Sequence, residues 1–356
     1  MNRKLFIPGP TDVSQELYEA MSKPMIGHRG KDFSILFEET VDKLKKLMFT
    51  DERVYISTSS STGLMEAAVR NCVKNKCLNV GNGAFSCKWH DITKANGKQA
   101  DMLSLNWGEA PTAELIDEAL SKDDYDAITL VHNETSTGVT APIKEIAEVV
   151  KEHDVTFLVD TVSSMGGIKV DVDRWGIDVC LFGVQKAMAL PAGLACCSVS
   201  EKALKKSMNV DNRGYYFDFQ VFEKYNKKNQ TPTTPAISIL NGLNHQLDKI
   251  LNSEGLGNRF QRHEEMGELT RKWIKEKGFE LLPEDRYASN TVSCVKNTRG
   301  IDCESLQKKL YERGYVFSNG YGKMKNNHFR IAHMGDRKPE ELREYLDVIE
   351  KLADLR

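Results

Sequence analysis

Short apolar runs alternate with amphipathic segments through the first two-thirds of the chain. Runs of this length, rich in Val, Ile, Leu and Phe, predict strands buried on both faces, and the segments between them predict helices. The alternation predicts an α/β fold with a mostly parallel sheet and helices on both faces. The predicted strands cover residues 53–57, 77–81, 126–132, 155–160, 178–183 and 194–200, and the predicted helices cover 63–73, 84–97 and 143–153.

The last third of the chain has a different pattern, which predicts a compact α+β module. A long polar helix over 255–278 ends at a glycine. Before it, the polar stretch 226–238, rich in Pro and Thr, predicts an extended loop. Further strands are predicted at 291–295, 315–318 and 328–334, and further helices near 302–313 and over 338–354.

The two patterns predict two domains, since a chain of 356 residues is long for one core. We expect a large domain over 14–245 and a smaller C-terminal domain over 246–356. Residues 1–13 are expected to form an N-terminal segment that packs near the functional site.

Composition excludes several classes of protein. A hydrophobic content of 40% and a charged content of 28% are typical of a soluble globular protein, and a net charge of −2 gives no general attraction for nucleic acid or anionic membrane. No apolar run approaches the roughly 18–20 residues that span a bilayer, and no signal peptide is evident. The eight cysteines lack zinc spacing, which predicts reduced thiols and no metal site. The C-terminal KLADLR differs from a peroxisomal Ser-Lys-Leu, so we expect a cytoplasmic protein.

Two charged residues stand at the ends of predicted strands. The stretch VCLFGVQKAMALPAG (179–193) places Lys186 directly after an apolar run, and Asp160 ends the strand at 155–160. A buried ammonium or carboxylate is costly unless it is paired. Each residue has an ordinary alternative, a surface lysine in one case and a turn cap in the other. In parallel sheets, however, ligands bind beyond the carboxyl ends of the strands.

Other strand ends carry groups that suit a flat, phosphorylated ligand. TSSSTG (58–63) opens a predicted helix, where free N–H groups and hydroxyls form an anion site, although an ordinary N-cap has the same composition. It is not a P-loop, because no Gly-Lys-Ser/Thr follows. Phe85 follows a tight turn and can stack on a ring, although a core aromatic is the simpler interpretation. NETSTG (133–138) supplies further hydroxyls.

Together these residues favour pyridoxal phosphate as the cofactor. This cofactor needs a lysine for a Schiff base, an acid against its ring nitrogen, donors for its phosphate and a flat group against its ring. Lys186, Asp160, TSSSTG and Phe85 offer one candidate for each need.

The chain also resembles a known family, the class V, fold-type I pyridoxal-phosphate aminotransferases of the alanine–glyoxylate and serine–pyruvate branch. The resemblance covers essentially the whole chain and follows the family's order of motifs. The matching stretches are PGPTDV (8–13), GHRGKDF (27–33), STGLMEAAVRN (61–71), NGAF (82–85), HNETSTGV (132–139), VDTVSSMGG (159–167), GVQKAMALPAG (183–193) and FRIAHMG (329–335).

The resemblance implies a role for eleven residues. Lys186 forms the Schiff base and shuttles the proton, Asp160 pairs with the pyridine nitrogen, and Arg330 grips the substrate carboxylate. The other implied cofactor contacts are Ser60, Ser61, Thr62 and Gln185 at the phosphate, Phe85 and Val162 on the two ring faces, Thr135 at the phenolic oxygen, and Thr233 reaching the phosphate of a neighbouring subunit. A homodimer with active sites at the subunit interface is therefore implied as well.

Some positions depart from the family's pattern. Ser59 and Ser61 stand where relatives often have Gly, which puts the backbone geometry of the phosphate cradle in doubt. Ala192 replaces a frequent Pro, and Gln230 stands where some relatives have an aromatic residue.

The resemblance implies a transaminase that moves the amino group of alanine or serine to glyoxylate or pyruvate by a ping-pong mechanism. An aminoethylphosphonate–pyruvate transaminase or another class V enzyme is the nearest alternative. A cysteine desulfurase fits less well, because Gln185 stands where those enzymes typically have His. A non-catalytic scaffold is disfavoured by intact Lys186, Asp160 and Arg330, and a nucleotide-binding protein by the lack of a glycine fingerprint after the first strand.

Overall fold

The computed structural model describes residues 3–355. Residues 1 and 2 of the predicted N-terminal segment and residue 356 of the predicted C-terminal domain lie outside this range. The strands are β1 (Lys4–Leu5), β2 (Arg53–Ser57), β3 (Lys76–Gly81), β4 (Gln99–Ser104), β5 (Ala127–Val131), β6 (Asn133–Glu134), β7 (Val139–Thr140), β8 (Thr156–Asp160), β9 (Val179–Gly183), β10 (Ala195–Val199), β11 (Glu280–Leu281), β12 (Val292–Lys296), β13 (Tyr315–Val316), β14 (Ser318–Asn319) and β15 (His328–Ala332). The helices are α1 (Gln15–Met21), α2 (Lys31–Met48), α3 (Ser61–Cys72), α4 (Ala84–Ala95), α5 (Ala113–Leu120), α6 (Ile143–Glu152), α7 (Glu201–Ser207), α8 (Phe219–Asn226), α9 (Ile237–Asp248), α10 (Leu256–Glu276), α11 (Cys303–Glu312) and α12 (Pro339–Ala353).

A seven-stranded sheet forms the centre of the first two-thirds, in the order β2-β10-β9-β8-β5-β3-β4. Only β10 runs antiparallel to its neighbours, so the carboxyl ends of the other six strands lie at one edge. Side chains of successive residues on β9 point to opposite faces of the sheet. Phe182 packs into the apolar cluster on one face and Leu181 into the cluster on the other. The predicted α/β fold, with helices on both faces of a mostly parallel sheet, is confirmed.

The sequence pattern missed several elements. No strand is predicted at β4, an edge strand whose residues are half-exposed or exposed, and no helix is predicted at α2. The predicted strand 315–318 is two short strands, because β13 pairs with β1 while β14 pairs with β15. The polar stretch 226–238 is largely an extended loop between α8 and α9, as predicted.

The last third contains a second, four-stranded sheet in the order β11-β12-β15-β14, covered by α10, α11 and α12. The N-terminal segment joins this module to the large sheet: β1 pairs with β13, and Phe6 stacks on Tyr345 with ring centroids 3.8 Å apart. Further along, the Thr11 N–H donates to the carbonyl of Gln185 at 3.1 Å. The predicted boundary between residues 245 and 246 falls within α9 and stays a prediction.

A fully buried arginine on α10 links the two parts of the chain. Arg259 Nε donates to the carbonyl of Gly166 (2.7 Å) and Nη2 donates to that of Ala187 (2.6 Å). Nη1 lies 2.7 Å from a carboxylate oxygen of Glu254 and 3.1 Å from one of Asp336. One guanidinium therefore fixes the loops that follow β8 and β9 against the C-terminal module.

No helix among residues 3–355 is long and apolar enough to cross a membrane. All eight cysteines are free thiols.

Replacing Arg259 with Ala is expected to lower the free energy of unfolding by about 3–5 kcal/mol, since two carboxylates and two carbonyls lose a buried partner. Urea unfolding at neutral pH measures this. Lys272→Ala on the same helix, which removes an exposed ion pair with Glu276, is the control and should cost less than about 0.5 kcal/mol. Equal losses in the two variants would contradict the linking role of Arg259.

Candidate active site

A cavity of about 490 Å³ opens at the carboxyl edge of the seven-stranded sheet. Segments that follow β2, β3, β5, β8 and β9 meet there, and the N-terminal segment and the second sheet form the opposite walls. Ten of the eleven predicted site residues line the cavity: Ser60, Ser61, Thr62, Phe85, Thr135, Asp160, Val162, Gln185, Lys186 and Arg330. Thr233 is the exception.

The amine of Lys186 is buried at the centre of this arrangement. The residue is 7% exposed, and Nζ donates to Thr135 Oγ1 (2.9 Å) and to Ser163 Oγ (2.8 Å). Burial lowers the pKa of Lys186 to about 7, with nearby Arg330 acting in the same direction and Asp160 opposing it. Near neutral pH this amine therefore exists in both protonation states, as a proton-transferring group requires.

A tight turn after β9 presents the lysine. Ala189 N–H donates to the Lys186 carbonyl at 2.8 Å, and Ala189 has φ of 56°, an unfavourable region for a residue with a side chain. Thr11 Oγ1 donates to the same carbonyl at 3.0 Å. Gly9, with φ of 117°, passes so close that a Cβ there would lie 3.1 Å from Lys186 Cγ. The described part of the N-terminal segment thus packs directly on the lysine.

Asp160 ends β8 and is 4% exposed. Its Oδ1 accepts the N–H of Val162 at 2.8 Å, and no other hydrogen-bond donor of residues 3–355 contacts the carboxylate. Burial raises the pKa of Asp160 to about 6, while Val162 N–H and Lys186 oppose this shift. A buried carboxylate with an unused oxygen is suited to pair with a cationic ring nitrogen in the cavity.

Helix α3 begins at the cavity. Ser60 is its N-cap residue, and the Ser60 side chain makes no capping hydrogen bond. Ser61 and Thr62 occupy the first turn and line the cavity beside it. The first N–H groups of a helix carry partial positive charge and bind anions, so this end of the cavity suits a phosphate.

The backbone N–H of Phe85 donates to a buried acid that was not predicted from the sequence. Glu134 is fully buried, and its carboxylate accepts the N–H groups of Phe85 (3.4 Å) and Ser86 (2.8 Å). This carboxylate caps the start of α4, where the helix dipole favours negative charge. The capped turn places the Phe85 ring centroid 5.5 Å from Lys186 Nζ.

Arg330 lies on β15 at the wall formed by the second sheet. It is 8% exposed, and within residues 3–355 its guanidinium donates only to the carbonyls of Thr135 (3.3 Å) and Asn319 (3.4 Å). No carboxylate of residues 3–355 forms an ion pair with it, and the ring of Tyr321 lies 5.4 Å from Cζ. A buried guanidinium with unused donors is suited to bind the carboxylate of a small molecule.

Thr233 lies outside the cavity of its own chain, beside Thr58 and Tyr216. Its loop is fixed by a residue of the motif GHRGKDF: Arg29 donates to the carbonyls of Thr231 (2.6 Å) and Pro232 (3.0 Å). A role for Thr233 in a neighbouring subunit stays a prediction.

Two of the departures from the family's pattern, Ser59 and Gln230, have hydrogen-bonding partners nearby. Ser59 Oγ donates to Ser57 Oγ at 2.9 Å. Gln230 Oε1 lies 3.4 Å from Arg29 Nη1, at the start of the loop that carries Thr233. Ser61 is buried at the first position of α3.

Several cavity residues were not predicted. Ser163 contacts Lys186 Nζ although its motif, VDTVSSMGG, was interpreted only through Asp160 and Val162. Ser163 contacts the lysine without lining the cavity itself. The unpredicted lining residues are Ile7, Pro8, Gly9, Pro10, Met65, Val131, Asn133, Ser318 and Tyr321. Most of them come from the N-terminal segment and the second sheet, whose approach to the cavity is set by tertiary packing.

Comparisons with known proteins give one consistent result. The chain matches the family model "Aminotransferase class-V" over residues 11–325. An uncharacterised aminotransferase of Methanocaldococcus jannaschii is 43% identical over 94% of this chain and 88% of the relative. Serine–glyoxylate aminotransferase of Hyphomicrobium methylovorum is 35% identical over 93% of this chain and 84% of the relative.

The solved structure of alanine–glyoxylate aminotransferase from Nostoc sp. superposes with a TM-score of 0.94 at 27% identity, covering 99% of this chain and 95% of that one. Similarity of sequence and of fold thus extends over nearly the whole chain.

The lowered pKa of Lys186 predicts a pH-dependent stability difference in cofactor-free protein. Between the folded pKa of about 7 and the ordinary value of 10.5, the unfolded chain binds more protons at Lys186, so the penalty of burying the lysine grows as pH falls. Lys186→Met should therefore be more stable than wild type, by a margin that is largest below pH 7 and shrinks toward pH 10.

Urea unfolding at pH 6, 8 and 9.5 measures this margin. Lys308→Met, at an exposed position, is the matched control and should show little difference from wild type at any of these pH values. A margin for Lys186→Met that is constant with pH would contradict the burial of a charge at this position.

Proposed function

Because the chain belongs to the class-V aminotransferases, we propose that it transfers the amino group of alanine or serine to glyoxylate or pyruvate in two half-reactions. The family assignment makes the chain an aminotransferase related to serine– and alanine–glyoxylate aminotransferases. The observation that supports the proposal most strongly is a buried lysine, pKa about 7, in the same cavity as a buried aspartate and an arginine without an ion-pair partner.

The family implies pyridoxal phosphate as the cofactor, and the cavity has the groups that this molecule needs. When bound, pyridoxal phosphate supplies an aldehyde that condenses with amines and a ring that accepts electrons. Asp160 has an unused carboxylate oxygen for the ring nitrogen, and the first turn of α3 has free donors for the phosphate. Phe85 and Val162 line the cavity as candidates for the two ring faces.

We assign the cofactor contacts as follows. Lys186 would provide the amine that binds the aldehyde, and Thr135, which already contacts Nζ, would hydrogen-bond the phenolic oxygen. Asp160 stays ionised beside a cationic ring nitrogen, because an opposite charge favours the carboxylate form. The phosphate is assigned to Ser60, Ser61, Thr62 and Gln185, with Thr233 reaching it from a second subunit.

Proton transfer is assigned to Lys186. The Lys186 amine would accept a proton from the substrate Cα, hold it at Nζ and later release it. A pKa near 7 suits both steps, since the amine must accept and release the same proton. Arg330 holds the substrate carboxylate by a bidentate, charge-assisted contact and thereby fixes the orientation of the Cα–H bond.

The proposed donors are small and uncharged at the side chain. Among the residues of 3–355 that line the cavity, Lys186 and Arg330 are the only cations, and both are assigned to other groups. A second carboxylate on the donor would therefore lack a cationic partner among these lining residues. The serine–glyoxylate and alanine–glyoxylate aminotransferases described above share glyoxylate in their names, which supports glyoxylate as an acceptor.

A cytoplasmic homodimer completes the proposal. The position of Thr233 outside the cavity of its own chain supports a role across a subunit interface. Eight free cysteines support a reducing compartment.

The half-reaction with single donors tests the function. Holoenzyme mixed with L-alanine or L-serine should lose its visible cofactor absorbance and release one equivalent of 2-oxo acid, and glyoxylate or pyruvate should then restore the absorbance. Stopped-flow absorbance with quantification of the oxo acid measures both steps. L-Aspartate is the comparison donor and should react much more slowly.

Bleaching by 2-aminoethylphosphonate, with none by alanine or serine, would replace the proposed donor while keeping the cofactor assignment. Absence of bleaching with every amine tested would contradict the aminotransferase reaction itself.

A further inference from the structure

The hydroxyl of Ser163 contacts the amine that transfers the proton. Ser163 is 1% exposed, and its Oγ lies 2.8 Å from Lys186 Nζ. Thr135 Oγ1 lies 2.9 Å from the same nitrogen, and the two hydroxyls also hydrogen-bond each other. One amine and two hydroxyls therefore form a closed set of hydrogen-bonding groups.

The position of Ser163 is fixed from two sides. Its carbonyl accepts a hydrogen bond of 2.6 Å from Thr291 Oγ1, at a fully buried residue that directly precedes β12. On the other side, the turn after β8 is closed by the Met165 N–H, which donates to the Thr161 carbonyl at 2.8 Å. The Ser163 hydroxyl is thus placed by both sheets.

The two hydroxyls are placed to accept both N–H bonds of a neutral amine. A neutral primary amine has two N–H bonds and one lone pair, and a hydroxyl oxygen can accept an N–H in either protonation state of the amine. Thr135 and Ser163 provide two acceptors, and the described part of the chain places no third hydrogen-bond partner on Nζ. With both N–H bonds occupied, the lone pair is the position left free.

We propose that Ser163 is a further catalytic residue, which together with Thr135 binds both N–H bonds of the neutral Lys186 amine and leaves its lone pair free for the substrate Cα proton. The inference rests on the aminotransferase function proposed above. In the step concerned, the lone pair forms a new N–H bond and the Cα–H bond breaks. The electron pair of that bond stays on the substrate carbon and is delocalised into the cofactor ring, and Nζ becomes an ammonium.

The first test uses cofactor-free protein. Competitive labelling of Lys186 with acetic anhydride across pH, quantified by mass spectrometry of its peptide, gives the midpoint of the Nζ titration. The charged groups around Nζ are Asp160, Glu134, Arg330 and Lys88, and all of them are kept in the variants.

Ser163→Ala should lower this midpoint by about 0.5–1 pH unit, because the hydroxyl accepts a hydrogen bond that favours the ammonium form. Ser164→Ala is the matched control, since Ser164 is equally buried on the same turn but bonds to His132 Nδ1 (2.9 Å) and not to Nζ. Its midpoint should equal that of wild type.

The second test uses holoenzyme with L-alanine and Cα-deuterated L-alanine. Ser163→Ala should lower kcat about 3- to 10-fold and change KM less than twofold, as expected for the loss of one hydrogen bond in the proton-transfer step. The deuterium isotope effect on kcat should rise, because proton transfer becomes more rate-limiting. Ser163→Cys preserves the side-chain shape with a weak acceptor and gives the same comparison if the alanine variant does not fold.

Titration midpoints and isotope effects of both Ser163 variants that match those of Ser164→Ala would overturn the proposal and leave Ser163 as a packing residue. Failure of the proposed function would be seen separately, as wild-type holoenzyme that does not transaminate. The labelling of cofactor-free protein tests the contact between Ser163 and Lys186 Nζ independently of the transaminase activity.

Discussion

The structure around the cavity depends on one constraint: the Lys186 amine is buried, and no carboxylate of residues 3–355 contacts it. Lys186 is surrounded by hydroxyls, an aromatic ring and the N-terminal segment, while Asp160 acts on it through space. Two hydrogen bonds replace only part of the hydration that the amine loses, so its charged form is destabilised. The packing of the large sheet on both faces stabilises the fold against this cost, and the result is an amine that titrates near neutrality.

The same constraint explains why distant segments meet at this point. Water must be kept from the amine, and the strand ends of one sheet cannot enclose it alone. Gly9 and Thr11 close one side, and β15 brings Arg330 to the other. Arg259 then fixes the loops after β8 and β9 to the C-terminal module. Burial of the amine and attachment of the second module are therefore parts of one arrangement.

Residues at the ends of apolar strands were predictable from the sequence. Lys186 and Asp160 each follow an apolar run that must be buried. Because burying an unpaired charge is costly, their positions indicated a binding site. Edge strand β4 was missed because its half-exposed residues lack an apolar run. Helix α2 has an amphipathic pattern with Phe33 and Leu44 buried, so its sequence does carry the signal of a helix. Ser163 and Glu134 could not be identified, because small or polar residues in a turn acquire a role only when tertiary packing fixes their partners.

The covalent position of the cofactor tests the central claim most directly. Holoenzyme reduced with sodium borohydride, digested and sequenced by mass spectrometry, reveals which lysine carries the cofactor. The account predicts stoichiometric labelling of the peptide that contains Lys186, and none of it in Lys186→Met protein. Labelling of another lysine in wild type, or no labelling at saturating pyridoxal phosphate, would contradict the assignment of this cavity as the active site.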